Sequence, residues 1–423
     1  MKRTDIVVIG GGAAGMMAAI RALREGCDVT LLEKNPFCGK KINITGKGRC
    51  NITNSRPWQE FATHIHPNSQ FLRSAFYDFS NRDVEELFNS IGVPTVETQG
   101  QRIYPESMRA QDVSQGLQDY LEELGAELIC GADVVGVRRD GELLVTSFCA
   151  AGGGAPEAIC SEAVIVATGG LSYPTTGSTG FGYEIARSFG HTVTECFPSL
   201  TALKPRRYDP DLSGIDLENV GLNLFVDGSP VQSEEGDLSF TDNGIEGALG
   251  FRVSRKAVRA LNHGQKVELE LDLKPSLNLA KLEARITREI TAIGSSRATI
   301  SDTKLRGILR TLLPQKLVKP FLDAHPGLNA DNLAASLKGW FFKIESYTGY
   351  ERCVVTAGGV SLKEVVAKSM RSRLDDGLYF AGEVLDLDGD TGGYNLQIAF
   401  STGALAGRSA AQRILNSREG EGA

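Results

Sequence analysis

The chain has 423 residues, of which 41% are hydrophobic and 23% charged, with a formal charge of −7. That length points to two or three domains with ample material for a core, and the acidic balance argues against a generally basic nucleic-acid binder. Glycine is the outlier: 48 of 423 positions, about 11% against a usual ~7%, with no three-residue period and only 15 prolines, which excludes collagen and low-complexity disorder.

In chain order, residues 5–9 (DIVVI) read as a buried strand, 13–25 as a helix and 28–33 as a second strand, a βαβ unit. A signal peptide is opposed by Asp5, by the glycine cluster that follows and by Arg21, Arg24 and Glu25 in the helix. A helical stretch is predicted over 69–91 and a further helix over 109–124, closed by Gly125. Residues 127–148 alternate as short strands with a turn at Asp140-Gly141. Residues 150–156 read as a flexible loop, and 163–167 as a buried strand running into Thr168-Gly169-Gly170.

Composition changes near 196. A hairpin is predicted around Asp227-Gly228, and 267–273 alternates with the period of two of a half-buried strand. Residues 274–338 switch to a helical period, with Leu282, Ile286 and Ile290 on one stripe and Ser301 as a cap. This segment holds 11 Lys+Arg and 5 Asp+Glu, so its +6 leaves −13 for the remainder. It is read first as a solvated helical face, with Lys304, Arg306, Arg310, Lys316 and Lys319 as the phosphate-gripping alternative. Residues 340–355 and 378–382 read as strands and 393–415 as a closing helix. No run approaches a membrane-spanning length. The eight cysteines include no C-x-x-C, so neither a zinc ribbon nor a dithiol redox pair is expected, and their scatter favours a reducing cytoplasm.

Gly10, Gly12 and Gly15 form G-x-G-x-x-G between a strand and a helix, where Ala13 and Ala14 begin the first turn. The first glycine permits the tight turn, the second lets backbone approach a pyrophosphate, and the third lets the helix pack on the sheet. Glu33 ends the second strand, where a carboxylate meets a ribose hydroxyl pair and repels a 2′-phosphate. NAD and FAD both satisfy this pattern, and NADP is disfavoured on it. The glycine pair at 392–393 opens the last helix, so the amides of Gly393, Tyr394 and Asn395 can face a flavin ring. No second G-x-G-x-x-G follows, so a nicotinamide donor has no separate domain and must dock transiently. His64 and His66 sit two apart without a third ligand pattern, and no metal site is expected.

Several stretches carry a specific resemblance: GGGAAG at 10–15, GKKINITGKGRCNITN at 39–54, RIYPES at 102–107, ATGGLSYPTTGSTGFGY at 167–183, VTAGGV at 355–360 and LYFAGEVLDLDGDTGGYNLQIAFSTG at 378–403. Together they are similar to the HI0933-like flavoproteins, described as aminoacetone-oxidase-like or bile-acid-reductase-like NAD(P)/FAD-dependent oxidoreductases. The resemblance implies an α/β fold: a glutathione-reductase-type FAD-binding Rossmann domain (1–195 and 350–423), an inserted β-rich domain (196–273 and 339–349) and a helical insert (274–338). It implies FAD contacts from Gly10, Gly12, Ala13, Ala14, Gly15, Glu33, Lys34 and Lys41. The same holds for Thr45, Gly46, Arg49, Cys50, Asn51 and Val134, for Thr168, Gly169, Gly382 and Glu383, and for Asp390, Gly393, Tyr394, Asn395 and Leu396. At 240–248 the sequence reads FTDNGIEGA, where relatives commonly carry F-T-H-x-G-x-S-G-P; Asp242 and Glu246 stand in place of His and Ser.

The expected activity is hydride delivery from reduced FAD to a C=C bond conjugated to a carbonyl, in a steroid-like or similar small molecule, with NAD(P)H as transient donor. The alternatives are reduction of a uracil base in rRNA, an amine or amino-ketone oxidase using O2, and a nicotinamide dehydrogenase holding NAD at the first site. Cys50, Tyr173 and Tyr394 are the candidate proton donors, with Tyr104 and Tyr347 as further phenols.

Overall fold

The computed structural model describes residues 2–150, 155–298 and 300–421. Most of the loop expected at 150–156 lies outside the described residues. The chain divides into two compact units, Met1–Phe197 with Val354–Ala423, and Pro198–Cys353.

The first unit is built on a parallel sheet. Its central strands run in the order Leu378–Phe380, Glu157–Val166, Lys2–Ile9, Val29–Glu33 and Glu127–Cys130, all parallel. Ile6 to Ile9 and Val29 to Glu33 are buried without alternation, as expected for strands covered on both faces. The strands Ala132–Asp140 and Leu143–Ala150 form the hairpin foreseen at Asp140-Gly141 and join the sheet antiparallel to Glu157–Val166.

The helix Ala13–Arg24 buries nearly every residue of its first two turns, because the closing helix Tyr394–Glu421 covers the side that the sheet leaves open. A Cβ at Gly403 or Gly407 would collide with the carbonyls of Ala14 or Ala18. These glycines, one helical turn apart, let the two backbones touch. Part of the glycine excess thus serves helix packing.

The stretch expected as one helical run over 69–91 is two helices, Ser69–Asp78 and Asn81–Ser90. Ser80 breaks it by accepting the Asp83 N–H on its side chain while the Asp83 carboxylate takes the Ser80 N–H, a capping box that starts a new helix.

The second unit contains a closed barrel. Its strands follow the order Leu203–Pro205, Gly244–Glu246, Ser229–Thr241, Ile215–Val226, Val267–Asp272 and Trp340–Tyr347. Val267, Leu269 and Leu271 point inward and alternate with half-exposed acids, the period of two read from sequence. Strand character expected over 340–355 ends at Tyr347. The 274–338 segment forms the helices Leu279–Ala292, Asp302–Leu312, Gln315–Ala324 and Leu333–Lys338, and Ser301 caps the second of them through the Lys304 N–H. Among the described residues no helix is long and apolar enough to cross a membrane.

Candidate functional site

In the first unit the strands Lys2–Ile9, Val29–Glu33 and Glu157–Val166 all end at one cavity, whose wall begins with Ile9, Leu32 and Ala167. Ligands of open α/β sheets bind at this carboxyl edge. Gly10 takes φ +103, and any Cβ on it would stand 2.6 Å from the Ala167 carbonyl oxygen, so the crossing between first strand and loop is closed to other residues. In front of Gly12 a Cβ would meet nothing within 4 Å. That open space lies at the start of the helix Ala13–Arg24, which has no side-chain cap and so leaves its first N–H groups for a ligand anion.

Glu33 is buried and serves this loop first. Its Oε2 accepts the Gly11 N–H at 2.7 Å, and its Oε1 accepts the Asn35 N–H at 2.7 Å and the Asn35 side-chain amide at 2.6 Å. Lone pairs remain on Oε2 for a ribose hydroxyl. Lys34, Lys40 and Lys41 stand around the same wall. Lys34 faces Asp133 at 3.4 Å and Lys41 faces Glu383 at 3.1 Å. Lys40 donates to neutral oxygens, Asn35 Oδ1 at 3.0 Å and the Thr175 carbonyl at 2.7 Å.

Glu383 joins four segments. It accepts from Ser172 Oγ at 2.5 Å, from the Thr356 N–H at 2.9 Å and from Lys41. Burial pushes its carboxyl up, but Lys41, Ser172 and the Thr356 N–H outweigh burial and hold it below the usual carboxylate value.

The closing helix begins at the cavity after a braced lead-in. Asn395 accepts the Gly389 N–H at 2.8 Å and donates to the Gly389 carbonyl at 2.7 Å, so its side chain locks the turn that aims the helix start. Asp390 accepts from His64 at 2.8 Å and His66 at 3.2 Å. The two histidines thus clamp a carboxylate. Burial pushes that carboxyl up, and the two imidazoles more than reverse the effect.

Of the sequence-selected residues, Gly10, Gly12, Ala13, Ala14, Glu33, Lys34, Lys41, Thr45, Val134, Thr168, Gly169, Gly382, Glu383, Asn395 and Leu396 line this one cavity. Gly15 packs under the loop, where a Cβ would collide with the Gly10 carbonyl. Gly46, Arg49, Cys50, Asn51, Asp390, Gly393 and Tyr394 stand off the wall. Gly46 and Lys47 both adopt left-handed backbone and carry the chain outward to exposed Arg49, whose guanidinium lies over Tyr104. Asn51 keeps a buried Oδ1 without a hydrogen-bond partner. Cys50 is fully buried, and burial pushes its thiol up to about 12. Tyr394 is 3% exposed and stacked on His64, with its phenol pushed up to about 12 by burial. Tyr173 is half-buried at φ +49. Tyr347, in the second unit, donates to Asn262 Oδ1.

Sequence reasoning missed Gly11, Asn35, Lys40, Gly177, Ser178 and Phe181 in the wall. Gly11, Lys40, Gly177, Ser178 and Phe181 lay inside the 10–15, 39–54 and 167–183 motifs, so that signal was present; Asn35 carried none, because its role depends on the turn that Glu33 holds.

The family model described as HI0933-like protein Rossmann domain matches residues 4–409. The chain belongs to the HI0933-like family. The 3-dehydro-bile acid delta(4,6)-reductase of Clostridium scindens is 32% identical over 422 residues, 96% of this chain and 99% of that protein. A ribosomal RNA dihydrouridine synthase of Haemophilus influenzae is 30% identical over 413 residues, 94% of this chain and 96% of that protein. Among solved structures, a 3-ketosteroid-delta4-(5alpha)-dehydrogenase from Rhodococcus jostii RHA1, in complex with 4-androstene-3,17-dione, shares 15% identity with TM-score 0.51 and 97% coverage of both chains. That likeness is one of fold. The first unit is accordingly a Rossmann-type FAD-binding domain in a family of FAD-dependent oxidoreductases. The residues fit the group: an open glycine cradle, an uncapped helix start, a loop carboxylate and an apolar flank of Ile42, Phe181, Leu387 and Leu396.

Proposed function

We propose that this HI0933-like protein saturates a C=C bond conjugated to a carbonyl in a small, steroid-like molecule or one of similar shape. FAD, when bound, supplies the hydride. The observation that carries this reading is the wall just described, polar and cationic around the glycine loop and apolar beside the start of the closing helix. The reaction class draws on the relatives: a delta(4,6)-reductase and a dihydrouridine synthase both bear the name of a saturated double bond. Glu33, Lys40 and the first turn of Ala13–Arg24 hold the nucleotide half. The Asn395 brace fixes the helix start, whose dipole favours negative charge on the ring. Apolar Leu387 and Leu396 exclude water. NAD(P)H is the donor in this reading and docks transiently, since one glycine loop serves one dinucleotide.

None of the three candidate acids lines the wall, and Cys50 and Tyr394 are in addition buried. Tyr173 keeps partial exposure, so it is the proposed proton donor. Tyr173→Phe is expected to slow substrate reduction by ~10²-fold or more while leaving flavin content unchanged; unchanged turnover removes Tyr173 from the role.

A second reading, reduction of a uracil base in rRNA, is favoured by one surface. The helix Leu279–Ala292 gathers Lys281, Arg285 and Arg288 around a depression with a single acid, Glu289. Burial, with the Arg285 charge adding to it, holds Lys274 below its ordinary value. Of the cations selected from sequence, Lys319 is paired with Asp211 and Asp323, Lys304 donates only to neutral oxygens, and Arg306, Arg310 and Lys316 stand exposed, so the earlier helix adds to the phosphate-gripping set.

One anaerobic experiment separates the readings. The flavin is reduced, then offered conjugated enones, uracil-containing RNA or buffer; in a separate arm the oxidised protein receives an amine in air. Reoxidation by an enone faster than by buffer supports the proposal. Reoxidation by RNA alone supports the second reading, and peroxide release with the amine alone supports an oxidase. If no enone outpaces buffer, the proposal fails.

A further inference from the structure

We propose that Cys38 and Cys130, remote in sequence, form a dithiol that hydrogen peroxide closes to a disulfide, latching two segments of the cavity wall together. The parallel register sets Cys130 beside Glu33. The Gly131 N–H donates to the Asn35 carbonyl at 2.9 Å, which ties the end of that strand to the turn after Glu33. From the other side the Gly39 N–H donates to the Gly11 carbonyl at 2.8 Å and brings Cys38 back onto the glycine loop. The point where a Gly11 Cβ would stand is 2.5 Å from Cys38 Sγ and 3.1 Å from both Cβ and Oε2 of Glu33. Both cysteines therefore converge on Glu33, and each thiol feels the other electrostatically.

The two sulfurs differ in access. Cys38 is 2% exposed, whereas Cys130 is exposed. Peroxide reaches Cys130 first. Its sulfur gives two electrons to the peroxide O–O bond, yielding a sulfenic acid and water. The Cys38 sulfur then attacks the sulfenyl sulfur. The S–S bond forms, the S–OH bond breaks, and hydroxide leaves with the Cys38 proton as a second water. Burial raises both thiols above their ordinary value, so the resting pair is a dithiol and closure quickens as pH rises.

The consequence follows from what flanks each sulfur. Ala132, Asp133 and Val134 follow Cys130 and line the cavity; Lys34, Asn35, Lys40 and Lys41 flank Cys38 and line it too. A disulfide joins these two stretches and holds the wall shut around its occupant. This rests on FAD as the occupant, and not on the choice of substrate.

The test uses the flavin-loaded protein. It is exposed to hydrogen peroxide, its free thiols are alkylated, and peptides are mapped by mass spectrometry without reduction. A Cys38–Cys130 peptide that disappears with dithiothreitol is expected. Cys130→Ser, a change at an exposed position, is expected to abolish that peptide, and Cys38→Ser to leave Cys130 as a dimedone-trapped sulfenic acid. FAD release into buffer is expected to slow several-fold after oxidation in the wild type and to stay unchanged in Cys130→Ser. Overoxidised Cys130 beside an alkylated Cys38, or a peptide linking either one to another cysteine, overturns the pair. A mapped disulfide without any change in FAD release overturns the latch.

Discussion

Glu33→Gln tests whether the carboxylate holds the loop before any cofactor arrives. The glutamate presents two acceptors to three donors, from the Gly11 N–H and from both N–H groups of Asn35. A glutamine has one acceptor oxygen, so its NH2 must face either Gly11 or Asn35, donor against donor. At least one charge-assisted hydrogen bond is lost at a site only 7% exposed, where water offers no replacement. Such bonds contribute about 1.5–3 kcal/mol. At roughly 2–4 °C per kcal/mol for a domain of this size, the melting temperature of the FAD-free variant is expected to fall by about 3–12 °C. FAD affinity falls further, by about tenfold for each 1.4 kcal/mol of loop order that binding must restore. The assay is thermal unfolding of wild type and variant, each with and without FAD. An FAD-free variant as stable as wild type refutes the reasoning and returns Glu33 to a role in ribose binding alone.

Gly403→Ala gains helix propensity of about 1 kcal/mol but forces a methyl into the Ala14 carbonyl; overpacking of about 1–3 kcal/mol is expected to win, read as a lower melting temperature and weaker FAD retention. Lys41→Met is expected to cost about 1–3 kcal/mol by leaving partly buried Glu383 without its cation, measured by urea unfolding at neutral pH. Because Glu383 is held below its unfolded value, its contribution is complete above about pH 4.3 and fades as pH falls through the folded value. Lys41→Met is therefore expected to flatten the wild-type loss of stability over that acid window, seen by unfolding at stepped pH. Reversing Lys281, Arg285 and Arg288 to Glu is expected to leave reduction of a small enone unchanged; a matching loss of salt-sensitive RNA binding supports the uracil reading.

Much of the site was legible because the nucleotide loop is a local pattern. Gly10, Gly12, Gly15 and Glu33 lie within one βαβ unit, and their spacing fixes which backbone meets which. The barrel strand Val267–Asp272 was equally plain from its period of two. What escaped are pairings between distant segments. Asp390 meets His64 and His66 across 326 and 324 positions, and no spacing rule reaches that far. Cys38 and Cys130 converge on Glu33 although no C-x-x-C announces them. Not every glycine serves the cofactor cavity: Gly403 and Gly407 serve the crossing of two helices, which a period of four inside an Ala-rich helix indicates.

The central claim is that the cavity at the ends of the first-unit strands holds FAD for the chemistry. The most direct measurement is the flavin content of the purified protein, by absorbance and by chromatography of the released cofactor, beside FAD titration of the stripped chain. One FAD per chain, lost on Glu33→Gln and regained by added FAD at higher concentration, is the expected result. A colourless protein whose stripped chain takes up NAD and not FAD would contradict the account.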